Sequence, residues 1–64
     1  MKYPNVDVQL SGEDGNAFFI IGRVRRALRK AGVPDEEVEQ FTEEAESSDY
    51  ENLLQVAGEW VNVS

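Results

Sequence analysis

The sequence predicts a single small α+β domain, residues 1–64, in which three helices pack on one face of a small sheet. Three observations predict it. A chain of 64 residues has room for one hydrophobic core. A strand-like alternation opens the chain, and a short alternation, Val61-Asn62-Val63, closes it. Between them, apolar residues recur at helical spacing in three stretches separated by breakers.

From Asn5 to Leu10 polar and apolar residues alternate, placing Val6, Val8 and Leu10 on one face and Asn5, Asp7 and Gln9 on the other. This is the pattern of a half-buried strand. Pro4, which has no amide hydrogen to donate, suits its start. Ser11 to Asn16 is dense in turn formers, so the chain reverses there.

Ala17, Ile20, Ile21, Val24, Ala27, Leu28 and Ala31 fall within one arc at 100° per residue, the signature of a helix facing a core. Asp14 or Asn16 can cap it, Glu13 and Asp14 suit its positive end, and Arg29 and Lys30 suit its negative end. Gly32 is its left-handed stop. Pro34 and the acids Asp35 to Glu37 begin a second helix whose buried stripe is Val38, Phe41 and Ala45, with Val33 stapled against Val38. Ser47 or Ser48 ends it. Ser48-Asp49-Tyr50-Glu51 fits a capping box that starts a third helix, with Tyr50, Leu53, Leu54, Ala57, Trp60 and Val61 along one side. Tyr50 and Trp60 read as core anchors. The closing Val61-Asn62-Val63 can lie beside the first strand, which otherwise has no ladder for its backbone groups.

Composition narrows function chiefly by exclusion. With no His and no Cys, the usual general base, the thiol nucleophile, disulfides and most transition-metal sites are missing. Paired carboxylates such as Glu43-Glu44 lie on a highly charged helix face where water leaves them ordinary. The expectation is a protein that is not an enzyme and holds no cofactor or metal. Gly12-Glu13-Asp14-Gly15 sits where a phosphate loop belongs but offers acids instead of donors. An EF-hand frame begun at Asp7 ends on Phe18 where calcium requires a glutamate. No apolar stretch has the length of a signal peptide or membrane span, so a cytoplasmic setting and no membrane partner are expected.

Charge is the informative feature. The net charge is −7, which makes nucleic acid an unfavourable partner for the molecule as a whole. Five of the six bases, Arg23, Arg25, Arg26, Arg29 and Lys30, belong to the first helix, and nine of the thirteen acids lie between Asp35 and Glu51. Phe19, Arg23, Arg26 and Lys30, spaced i, i+4, i+7 and i+11, form one stripe pointing away from the core face. That stripe reads as a docking face for an acidic partner. Alternatively, another helix covers Phe19 and the arginines pair with the acidic second helix. Glu36, Glu39, Glu43 and Glu46 form an alternative face, which could imitate a DNA phosphate backbone and inhibit a nucleic-acid-binding protein. Leftover apolar surface and strand edges also leave homodimerisation open to the chain.

Gly12-Glu13-Asp14-Gly15-Asn16-Ala17-Phe18, Ala27-Leu28-Arg29-Lys30-Ala31-Gly32, Asp49-Tyr50 with Leu53-Leu54, and Trp60-Val61-Asn62-Val63 together resemble short uncharacterised proteins encoded in bacteriophages and bacterial mobile elements. The likeness spans nearly the whole chain and departs at Pro34, where a capping serine is expected. It implies a phage or bacterial cytoplasmic setting and transfers no mechanism. The sequence therefore points to a small non-enzymatic interaction protein that docks a macromolecular partner, most simply another protein.

Overall fold

The computed structural model describes residues 2–10 and 15–64, in the order β1 (Tyr3–Val8), α1 (Ala17–Lys30), α2 (Asp35–Glu46), α3 (Tyr50–Trp60) and β2 (Val61–Val63). The fold is α+β, as the hydrophobic periods predict. β1 and β2 pair in parallel, which two strands can do only when a long connection carries the chain back. Here the three helices are that connection.

The ladder is irregular. Tyr3 pairs with Val61, Asp7 with Asn62 and Val8 with Val63, so β1 advances four residues while β2 advances one. Pro4 lies inside this interruption, where it has no amide hydrogen to offer. Beyond the strands, the Lys2 amide donates to the Glu59 carbonyl at 2.8 Å and the Leu10 amide to the Ser64 carbonyl at 2.8 Å. The strand itself runs from Tyr3 to Val8, not from Asn5 to Leu10, although Leu10 still packs against the core.

Asn16 caps α1, its side-chain oxygen accepting from the Phe18 and Phe19 amides at 2.8 and 3.4 Å. The alternative cap Asp14 and the first part of the turn, residues 11–14, lie outside the described residues. Gly32 closes α1 at φ 87°, and two backbone bonds, Gly32 to Arg29 and Val33 to Leu28, satisfy the last carbonyls. Leu28 and Val33 are both buried beneath that turn.

One expectation at the later helix ends needs correction. The cap of α3 is Asp49, which accepts from the Asn52 amide at 3.0 Å, so the box read from Ser48 is shifted by one residue. Asn52 occupies the position where the box needs a carboxylate, and its side chain instead donates to the Glu44 carbonyl at 2.9 Å. Pro34 precedes α2 as a cap without a side-chain bond, and Ser47 ends that helix by donating its hydroxyl to the Glu44 carbonyl.

Val24, Leu28, Val38, Phe41, Ala57 and Val61 are fully shielded from solvent, and Trp60 is 2% exposed. Phe41 meets the Trp60 ring edge-on at 5.7 Å and Tyr3 stacks on its other side at 6.1 Å, so one indole joins α2, α3 and β1. Trp60 Nε1 donates to Glu44 at 3.2 Å, and the Tyr3 hydroxyl donates to Glu37. Three core expectations fail. Tyr50 and Leu54 are 44% and 42% exposed, because α3 turns Val56, not Leu54, toward the core. The Tyr50 hydroxyl instead donates to the Gly15 carbonyl at 2.6 Å, tying the start of α3 to the start of α1. Ala31 is likewise exposed, since α1 ends before its arc reaches that residue.

Candidate protein-docking face

α1 distributes its side chains over three directions. Ile20, Ile21, Val24 and Leu28 enter the core. Arg25 and Arg29 lean toward α2, where Arg25 Nη2 meets Glu39 at 2.8 Å and Arg29 Nε meets Asp35 at 3.8 Å. Phe19, Arg23, Arg26 and Lys30 occupy the third direction.

The two readings of the arginines are thus divided between different residues. Pairing with the acidic helix does occur, but through Arg25 and Arg29 and not through the stripe. Both partners of the shorter pair remain partly solvated, so its contribution to stability is small. No helix covers Phe19, which stays 36% exposed with the Arg23 guanidinium 5.4 Å from its ring centre. That stacking orients Arg23 while leaving its charge at the surface. Arg26 and Lys30 are exposed and make no ion pair among the described residues. The sixth base, Lys2, lies 4.1 Å over the Trp60 ring.

Phe18 belongs to this surface and was not singled out by the spacing of the stripe. It is 81% exposed, the most exposed large apolar side chain described. Its position outside the apolar arc of α1 is the signal that could have marked it. Phe18, Phe19, Gly22, Arg23 and Arg26 line a concavity of about 230 Å³, and a Cβ on Gly22 would meet nothing within 4 Å. Beside it, Asp7, Val8 and Gln9 face Arg23, Arg26, Ala27 and Lys30 across a groove of about 410 Å³.

The acidic alternative is also assembled on one element. Glu36, Glu39, Glu43 and Glu46 are exposed on the outer side of α2, but Glu39 is held by Arg25. Glu46 additionally borders an apolar cleft of about 420 Å³ whose walls include Phe18, Ile21, Tyr50 and Leu53. Among the described residues, no three carboxylates converge as a metal site would require, and no helix is long and apolar enough to cross a membrane. The hydrogen bond to Glu37, then burial, then the Glu37 charge raise the Tyr3 hydroxyl above its ordinary value. Comparison with protein-family models, with curated proteins and with solved structures yields no match.

Proposed function

We propose that this chain is a non-enzymatic binding module whose α1 face docks an acidic protein partner in a phage-infected or other bacterial cytoplasm. The setting rests on the resemblance to phage and mobile-element proteins. The docking face rests on one observation: Phe18 and Phe19 stand in solvent at the start of α1, immediately beside Arg23 and Arg26.

Covering a phenylalanine as exposed as Phe18 contributes about 2 kcal/mol, so a partner gains an anchor without any rearrangement of the core. The neighbouring cations steer an acidic surface toward that anchor and fix its orientation. Aromatic and arginine side chains are the residue types on which binding energy concentrates. Of the four α2 carboxylates, Arg25 already neutralises Glu39.

Quantitative affinity capture from a bacterial lysate tests the reading, with the wild-type chain compared against a Phe18→Ser, Phe19→Ser double variant. The expected result is an acidic protein retained by the wild type, lost from the variant and released as salt rises. Identical captured sets, or a complex indifferent to salt, would contradict it.

A further inference from the structure

The groove beside α1 has a second wall that the docking face alone does not use. β1 pairs with β2 on one side, and among the described residues no strand lies against its opposite edge. Ser64 donates to the Val8 carbonyl at 3.0 Å and Leu10 donates to the Ser64 carbonyl at 2.8 Å, so Val8 and Leu10 turn their peptide groups toward β2. Backbone groups of successive strand residues point to opposite edges, which sends those of Asp7 to the free one. Val6 and Val8 point inward while Asp7 points outward; Asn5 lies inside the interruption of the ladder, so Asp7 is the residue whose edge the pairing fixes.

This free edge runs along the basic stripe. Asp7 and Val8 form one bank of the groove, and Arg26, Ala27 and Lys30 form the other. A second concavity, about 360 Å³, continues it between Lys2–Val6 and the turn at Ala31–Pro34. Resting on the docking reading above, we propose that the partner enters as an extended acidic segment that adds to β1 as a third strand. Its backbone pairs with β1 at Asp7, and its alternate side chains reach Arg26 and Lys30.

Spacing supports this occupant. Arg26 and Lys30 are four helical residues apart, a rise of about 6 Å. Alternate residues of a strand are about 6.7 Å apart. Acids at every second position of the added strand therefore meet the two cations in step. A second copy of the chain fits less well, because β1 carries one acid, Asp7, and β2 none, while docking two copies brings two basic stripes together. Main-chain pairing supplies affinity and the alternating pockets supply selectivity, as in other strand additions.

The test is an NMR titration of the isotope-labelled protein with a short peptide of alternating Glu and Thr, at low salt. Two further peptides carry N-methyl groups on either the odd or the even backbone amides. Strand addition predicts a shifted and exchange-protected Asp7 amide. It also predicts that one methylated peptide binds roughly tenfold more weakly while the other is unaffected, because only one set of amides faces β1. Binding that tolerates both methylated peptides, shifts α1 alone and is weakened by Arg26→Glu with Lys30→Glu would overturn strand addition and leave the basic docking face standing. Absence of any peptide response, or protection of β1 that grows with protein concentration alone, would also overturn it. Loss of the docking face itself would appear separately, as unchanged capture by the phenylalanine variant.

Discussion

Tyr3 shows how a single side chain reports on the packing around it. Its ring stacks on Trp60 and its hydroxyl donates to Glu37, so the bond exists only while the phenol keeps its proton. Because the folded protein holds that proton more tightly than the unfolded chain, the contribution is intact below about pH 10 and is lost as pH rises through the folded value. Chemical denaturation across the alkaline range should show the wild type losing stability in that window and Tyr3→Phe losing less of it. Gly32 carries a different constraint. At φ 87° it occupies the left-handed region, so Gly32→Ala should cost about 1 kcal/mol in urea unfolding even though a Cβ there would meet nothing. That role was legible in the sequence, because a glycine just past an apolar arc has few other uses. The exposure of Tyr50 was not, because helical spacing alone cannot say that its hydroxyl is drawn to the Gly15 carbonyl.

At the scale of elements, apolar periodicity gave all three helices and both strands, while their ends depended on short-range hydrogen bonds. Asp49, not Ser48, bonds the first turn of α3, so Asp49→Ala should lower stability by about 1 kcal/mol and Ser48→Ala should leave the melting temperature nearly unchanged. Adjacent serine and aspartate are equally good caps on paper, and only the helix frame chooses between them. α1 contains a second telling position. Gly22 lies mid-helix with open space around it, so Gly22→Ala should stabilise the protein by roughly 0.5–1 kcal/mol. Since Gly22 also floors the concavity between Phe18 and Arg26, the same substitution should weaken partner capture, a trade that thermal melting and capture measure separately. The stripe of Phe19, Arg23, Arg26 and Lys30 could be read from spacing. Its separation from Arg25 and Arg29 could not be, because it depends on which side of α1 receives α2.

Across the whole molecule, one core joins every element through Trp60, Phe41 and the strand residues Val6, Val8 and Val61. A domain of 64 residues has roughly 3–10 kcal/mol of stability, and Phe41→Ala removes about 3–5 kcal/mol, so that variant should lose about a third or more of its stability and melt well below the wild type by circular dichroism. The parallel pairing of the chain's two ends was not legible beforehand, since neither strand's alternation specifies the direction of its neighbour. It has a functional consequence: placing β2 on one side of β1 leaves the other edge beside α1 and its cations. Charge is thereby sorted by architecture, with the acids of α2 outward on one flank and Arg26 and Lys30 outward on another. Titration calorimetry of polyglutamate against the wild-type chain and against Arg26→Glu with Lys30→Glu tests this arrangement most directly. At low salt the charge-reversed protein should bind at least roughly tenfold more weakly; equal affinity of the two proteins would contradict the basic face as the docking surface.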